Sequence, residues 1–121
     1  MKLLNRSAFV VLPKQPFVDW TNGLNLDETE FHQNLSLEEQ RQEGTVYLVD
    51  EVESEDDFTK HLVGNWKQIF ENELSAWDEM GDDWPNALSY ETFQEWFDLY
   101  PQVMALDLSQ QPLMTANLND V

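Results

Sequence analysis

The longest regular pattern in this sequence is an apolar stripe between residues 58 and 77. Its large side chains recur every three or four positions, which is the spacing of one face of an α-helix: Phe58, Leu62, Trp66, Ile69, Phe70, Leu74 and Trp77. Ser54 and Asp57 precede it with the spacing of a capping box, in which two side chains satisfy free amides of the first helical turn. The stripe therefore predicts a long helix that another layer of the fold must cover.

Three short runs rich in apolar residues predict strands that would form this layer: residues 8–12, 45–49 and 103–108. The first two, AFVVL and TVYLV, are almost continuously apolar, as is typical of strands covered on both faces or lying inside a sheet. The third places Met104, Leu106 and Leu108 on one face and Asp107 on the other, which favours an edge strand with one wet side.

Shorter helical patterns separate these runs. Pro16 suits a first helical position, and an apolar pattern with helical spacing follows it. Ser36 and Glu39 form a second capping-box pattern ahead of a short helix. A further helix is predicted after Ser89 and ends at Pro101, because four aromatic side chains would lie on one of its faces: Phe93, Trp96, Phe97 and Tyr100.

The predicted order is strand, two helices, strand, two helices, strand, or βααβααβ. It corresponds to an α+β or α/β fold in which a small three-stranded sheet is covered by about four helices. A helical connection joins the first two strands, which predicts that they run parallel; the direction of the third is left open. Residues 1–109 are expected to form one domain, and residues 110–121, which lack periodicity, a C-terminal tail.

The negative charge is concentrated in the second part of the chain. Residues 1–49 hold seven acidic and four basic residues, a balance of −3, whereas residues 50–121 hold seventeen and two, a balance of −15; together they give the net charge of −18. Such a surface repels nucleic acids and anionic lipids, because binding them depends on Lys and Arg. We therefore expect any charged partner to be basic. The aromatic content of 12% favours a folded chain over a disordered one.

The composition also excludes several kinds of site. The chain has no Cys, so disulfides, zinc–thiolate sites and Cys nucleophiles are excluded. The apolar run of residues 8–12 is too short for a secretion signal, and no run approaches the roughly 20 apolar residues that span a bilayer. We predict a cytoplasmic protein that does not bind membranes.

Four carboxylates surround a Met-Gly pair in the stretch AWDEMGDDWP, residues 76–85: Asp78, Glu79, Asp82 and Asp83. A calcium-binding EF-hand loop requires acids at its first, third and fifth positions and Gly at the sixth. A loop that starts at Asp78 has Met80 third and Asp83 sixth, so the register fails. The stretch is interpreted as an acidic joint between two helices, anchored by Trp77 and Trp84.

The sequence contains no catalytic or cofactor motif, and its only two His residues are His32 and His61. Asp57 and His61 are four residues apart and would meet on a helix, but no second His lies near them to complete a metal site. Strings typical of nucleotide sites, serine hydrolases and metalloproteases are absent. On these grounds no catalytic residue, metal or cofactor is predicted.

Glu73 is the acid that the helical projection places inside the apolar stripe. A carboxylate there must pair with a base, become protonated or reach past its neighbours. If the first two strands are parallel, their carboxyl ends bring Lys14 near Asp50 and Glu51, at the edge where open α/β sheets bind ligands. The candidate polar cluster is therefore Lys14, Asp50, Glu51 and Glu73; ordinary salt bridges between loops are the structural alternative.

Three strings stand out: PKQPFVDW at 13–20, GTVYLVDE at 44–51, and a run from IFENELSAW at 69–77 through WP at 84–85 to FQEWFD at 93–98. Together they resemble a family of small, acidic, uncharacterised bacterial proteins, and the resemblance covers most of residues 5–112. That family has no assigned activity. The resemblance therefore implies a bacterial, cytoplasmic, single-domain protein and no particular chemistry.

Two functions are consistent with these residues. The first is a non-enzymatic interaction module whose acidic surface docks on a basic protein partner, of which nucleic-acid mimicry is one form. Its candidate surface comprises Asp78, Glu79, Asp82, Asp83, Glu91, Glu95 and Asp98. The second is a small enzyme or ligand-binding protein that uses the candidate polar cluster at the strand ends. The same charge would also serve solubility alone.

Overall fold

A computed structural model describes residues 1–24 and 34–118 of the chain. These residues form five strands and four helices. In chain order the elements are β1 (Lys2–Leu3), β2 (Arg6–Pro13), α1 (Gln15–Asn22), α2 (Leu37–Arg41), β3 (Thr45–Asp50), α3 (Glu55–Ser75), α4 (Tyr90–Trp96), β4 (Phe97–Gln102) and β5 (Leu106–Asp107).

The main sheet has three strands in the order β3-β2-β4, and both pairings are antiparallel. Its register places Phe9 opposite Tyr47 on one side and Pro101 on the other. A separate two-stranded sheet pairs β1 with β5, with Lys2 opposite Asp107. The predicted α+β class, with a small three-stranded sheet and four helices, is confirmed.

The third strand of the main sheet lies earlier in the chain than predicted. It is β4, which follows α4 directly, and only two residues of the predicted strand 103–108 form a strand at all, in the second sheet. The predicted helix up to Pro101 is therefore wrong beyond Trp96. The segment from Phe97 also alternates between apolar and polar residues, and Phe97 and Leu99 gain contacts with the core as strand residues. Pro101 is tolerated because β4 is an edge strand.

The predicted parallel pairing of the first two strands is also wrong. β3 begins beside the end of β2, since Thr45 lies opposite Val11, and it runs back toward Arg6, which lies opposite Asp50. A parallel pair would require the connection to return along the whole length of β2. The helices α1 and α2, of eight and five residues, instead remain near the end where β2 finishes.

Helix α3 covers the inner face of the sheet, as its apolar stripe predicts. The buried core joins this helix to residues of the sheet, of α1 and of α4: Phe9, Val11, Phe17, Ile69, Phe70, Leu74, Phe93 and Phe97. Phe70 lies at the centre, with ring centroids 5.7 Å from Phe93 and 5.6 Å from Phe97. None of the helices in the described residues is both long enough and apolar enough to span a membrane.

The capping patterns that predict the helix starts are formed. At α2 the Glu39 N–H donates to Ser36 Oγ at 3.1 Å, and the Ser36 N–H donates to Glu39 Oε1 at 3.2 Å. At α3 the carboxylate of Asp57 accepts hydrogen bonds from the N–H groups of Glu53 and Ser54, at 2.8 and 3.3 Å. These bonds satisfy amides that the first turn of a helix leaves free.

The outer face of the sheet is open over β3. The side chains of this strand alternate between the helix side and the outer side, and Val46 and Leu48 on the outer side are 59% and 51% exposed. The interpretation of TVYLV as a strand covered on both faces or lying inside a sheet is therefore wrong, because one face of β3 is exposed and the strand lies at the edge of the sheet. The central strand β2, by contrast, is mostly buried, in agreement with the pattern of AFVVL.

We expect Phe70→Ala to lower the free energy of unfolding by about 3 to 5 kcal/mol, because it leaves a cavity under the aromatic cluster. Val63→Ala, on the same helix but 56% exposed, serves as the matched control and should cost less than about 1 kcal/mol. Urea denaturation followed by circular dichroism would measure both values. Similar losses for the two variants would contradict the assigned core.

Candidate functional site

A groove runs along the free side of β3, between this strand and α3. Its larger part is a cavity of about 780 Å³. One wall is formed by residues 47–50 of β3, and the other by polar side chains of α3, among them His61, Asn65, Gln68 and Asn72. Within the described residues β3 pairs only with β2, so the backbone on its other side faces this cavity.

A second cavity of about 610 Å³ adjoins the first and continues past the start of β3. Asn72 and Ser75 line both cavities, so the two cavities are neighbours. Thr45, Glu73 and Trp77 line the second part. We call the two cavities together the β3–α3 groove.

Tyr47 and Glu73 connect the strand to the helix across this groove. The Tyr47 hydroxyl donates to Glu73 Oε2 at 2.5 Å, and the Asn72 side-chain amide donates to Tyr47 Oη at 2.8 Å. Burial raises the pKa of the Glu73 carboxyl, while the hydrogen bonds from Tyr47 and Thr45 act in the opposite direction. Burial, together with the bond to Glu73, raises the pKa of the Tyr47 phenol well above its usual value, so Tyr47 remains a proton donor at neutral pH.

The groove carries negative charge along its whole length. Its lining includes five carboxylates, two in the larger cavity and three in the smaller: Asp50, Glu71, Glu43, Glu73 and Glu79. No Lys or Arg among the described residues lines either cavity. Lys67 comes within 4.0 Å of Glu71, but the two side chains are 68% and 42% exposed, and a pair so accessible to solvent is weak. The groove therefore provides an environment that favours cationic groups.

The residues predicted as a polar cluster do not assemble, because β2 and β3 are antiparallel. Asp50 lies opposite Arg6 at one end of the sheet, and the exposed Glu51 follows it. Lys14 follows the other end of β2, where its Nζ donates to the backbone oxygen of Gln94 at 3.2 Å. Glu73 contacts β3 through Tyr47, and among the described residues neither Lys14 nor another base is its partner. The structure thus does not bring the four residues together in one place.

The predicted acidic surface divides into two groups. Five of its members are exposed and lie on the joint or on α4: Glu79, Asp82, Asp83, Glu91 and Glu95. Asp78 instead holds the joint, since its Oδ2 accepts the Asp83 N–H at 2.7 Å. Asp98 forms an ion pair of 2.8 Å with Arg41 and belongs to the outer face of β4, opposite Leu12.

Two tryptophan indoles hold the joint, one from Trp84 within it and one from Trp20 of α1. The Trp84 indole N–H donates to the backbone oxygen of Asp78 at 2.8 Å, and the Trp20 indole N–H donates to that of Asp83 at 2.9 Å. Gly81 has a positive φ of 79°, which favours glycine at this position. Trp84 also lines the larger cavity of the groove. In the described part of the chain, no three His, Asp or Glu side chains converge in a way that would hold a metal ion.

The predicted pair of Asp57 and His61 separates into two roles. Asp57 caps α3, and its hydrogen bonds to backbone amides hold the pKa of its carboxyl below the usual value. His61 lines the larger cavity of the groove. The other histidine, His32, lies outside the described residues.

The sequence interpretation overlooked Tyr47 and Asn72 as partners of Glu73. One signal was present: alternation along TVYLV assigns Tyr47 to the same side as Thr45 and Val49, and this is the side that α3 covers. A phenol on that face is a suitable partner for a carboxylate within the apolar stripe. The pairing itself depends on how far α3 lies from β3, which no local pattern specifies.

No protein family model, curated protein or solved structure matches this chain. The resemblance to a bacterial family stays a prediction.

We expect Tyr47→Phe to raise the pKa of the Glu73 carboxyl further, because the variant removes a hydrogen bond that stabilises the carboxylate while the burial remains. Carbon-detected NMR titration of the Glu side chains would measure this change. Tyr90→Phe, which leaves the Glu73 hydrogen bonds in place, is the control. A Glu73 pKa that fell in Tyr47→Phe would contradict the geometry of this pair.

The raised pKa of Glu73 also predicts how stability changes with pH. Between the ordinary value of 4.5 and the higher folded value, the folded state binds more protons than the unfolded state, so the contribution of Glu73 to stability falls as pH rises. The free energy of unfolding of the wild type should therefore fall relative to Glu73→Gln through this window. Urea titrations at a series of pH values would measure the difference. Glu71→Gln controls for the change in net charge, and a difference independent of pH would contradict the prediction.

Proposed function

We propose that this protein is a non-catalytic interaction module that binds a basic protein partner through the β3–α3 groove. The observation that carries the proposal is the lining of the groove, where five carboxylates occur without any Lys or Arg among the described residues. A partner that inserts Lys or Arg side chains would replace repulsion between these carboxylates with attraction.

The charge of the whole chain supports the same function. A net charge of −18 creates a long-range field that attracts basic proteins and increases their rate of association. Among the described residues only three acids take part in ion pairs, namely Asp98, Asp107 and Glu71. Most of the negative charge is thus left for a partner to neutralise.

The joint extends the negative surface beyond the groove. Glu79 lines the smaller cavity and also belongs to the exposed carboxylates of the joint, which continue with Asp82 and Asp83. Carboxylates in a concave groove favour a protruding or extended basic segment over a broad nucleic-acid-binding surface. This arrangement therefore supports recognition of a peptide segment more than nucleic-acid mimicry.

A small enzyme or ligand-binding protein is the second candidate function. Glu73 has a raised pKa and lines a concave cavity, two properties that functional carboxyls often share. Its site would consist of Glu73, Tyr47 and Thr45, since Lys14, Asp50 and Glu51 lie elsewhere. Against this function, Tyr47 and Glu73 are already engaged with each other. Loss of small-molecule binding in Glu73→Gln, with peptide binding retained, would favour this candidate.

The proposal predicts that a Lys-rich peptide binds more weakly at about 300 mM salt than at about 50 mM salt, because salt screens the attraction between charges. Fluorescence anisotropy would measure both affinities. The double variant Glu43→Gln/Asp50→Asn should weaken binding about three- to tenfold, because it removes two charges from the groove. Glu91→Gln/Glu95→Gln removes the same charge from α4 and should have a smaller effect. Equal losses would indicate a general effect of charge and contradict binding in the groove, and a greater loss in the α4 variant would favour the α4 surface. Absence of salt-sensitive binding would remove the support for a basic partner.

A further inference from the structure

The free edge of β3 carries unpaired backbone groups. β3 pairs with β2 along all six of its residues, in an unbroken antiparallel register from Asp50 to Thr45. In such a ladder every second residue directs its N–H and C=O toward the partner, and the residues between direct theirs away. Because no strand covers the other side of β3 in the described part of the chain, half of its backbone groups remain available for another strand.

This edge lacks the features that usually prevent strand pairing. Natural sheets protect their edges with Lys, Pro, β-bulges or a covering segment. β4, the other edge of the main sheet, contains Pro101. The sequence of β3, TVYLVD, contains neither Lys nor Pro, and its register has no bulge. The edge of β3 is therefore suited to accept a strand.

The groove follows the backbone of β3 and not just one of its faces. Residues 47–50 all line the larger cavity, although Tyr47 and Val49 point toward α3 while Leu48 and Asp50 point outward. The cavity of about 780 Å³ therefore lies directly beside the strand edge. A chain laid there would have one row of side chains over α3 and the other beside Val46 and Leu48.

We propose that the basic segment of the partner binds in an extended conformation as an additional strand on the free edge of β3. This inference rests on the proposed function, because it uses the same groove and the same basic partner. The segment alternates basic and apolar side chains. Its basic row lies over α3 near Glu71, and its apolar row lies against Val46 and Leu48 on the outer face.

Charge decides between this occupant and two others. A second copy of the chain would bring two molecules of net charge −18 together and place their acidic grooves side by side. The chain's own segment 109–118 carries no charged residue to meet the carboxylates. Leu118 lines the larger cavity but is 86% exposed, so it leaves most of the cavity open. A basic segment is the occupant that matches both the backbone edge and the charge.

The test uses a synthetic peptide of about ten residues in which Lys and Val alternate, together with two N-methylated forms of it. One form carries methyl groups on every Val amide, and the other on every Lys amide, so each blocks a different edge of the peptide at equal charge. Strand addition uses one edge. We expect one methylated peptide to bind about tenfold or more weakly than the parent, and the other to bind like the parent.

Amide hydrogen exchange of the protein provides the second measurement. On addition of the parent peptide, alternate amides of β3 should become protected, either at residues 45, 47 and 49 or at residues 46, 48 and 50. The free protein alone provides a control. If the β3 amides that face away from β2 were already protected in it, and this protection disappeared on dilution, the occupant would be a second copy. Protection that disappears on removal of residues 112–121 would identify the tail. Either result overturns the proposal.

A pair of protein variants tests the apolar row. Leu48→Lys and Val63→Lys add the same charge at positions that are 51% and 56% exposed, but only Leu48 adjoins the proposed strand. We expect Leu48→Lys to weaken binding of the parent peptide about fivefold more than Val63→Lys. Equal affinity of the parent and both methylated peptides would overturn strand addition and leave the proposed function standing. If none of these peptides bound and the Lys-rich peptide did not bind either, both proposals would fail.

Discussion

The packing of α3 against the sheet and α4 is the contact on which the rest of this structure depends. The chain has no Cys, and its described residues contain no metal-binding cluster, so burial of apolar surface is its main source of stability. Phe70 lies where three elements meet, in contact with Phe93 of α4 and Phe97 of β4. With α3 held against the sheet in this way, the hydrogen bond between Tyr47 and Glu73 joins α3 to β3, which form the two walls of the groove.

Acidic side chains stabilise the helices of this protein at their first turns and destabilise them at their last turns. Acids fill the first turns of α2 and α3, where they stabilise the positive end of the helix dipole: Glu38, Glu39, Glu55, Asp56 and Asp57. The last turn of α3 has no basic residue, and the acidic joint follows it. The joint compensates through specific hydrogen bonds, in which Asp78 accepts the Asp83 N–H and the Trp84 indole N–H. Repulsion within the joint is therefore opposed by local structure.

The sequence predicted features that depend on local patterns and missed those that depend on distance. The stripe from Phe58 to Trp77 and the capping residues specify α3, because helical spacing and caps act within a few residues. The segment from Phe93 to Tyr100 was misassigned because its aromatic residues fit both a helical face and, after Trp96, the alternation of a strand. The antiparallel pairing of β2 and β3 separated Lys14 from Asp50. The groove could not be predicted, since it arises from the position of an edge strand relative to a helix.

Trp84 belongs both to the joint between α3 and α4 and to the wall of the groove. Its indole N–H bonds to Asp78 within the joint, and its side chain forms part of the wall of the groove. A substitution elsewhere in the loop between α3 and α4 could therefore move Trp84 and change the shape of the groove, even where the substituted residue does not line it. During evolution this loop would tolerate changes in length less readily than its exposed, acidic sequence suggests. Sequence changes in the loop and in the lining of the groove should then be correlated, because the two sets of positions are coupled through Trp84.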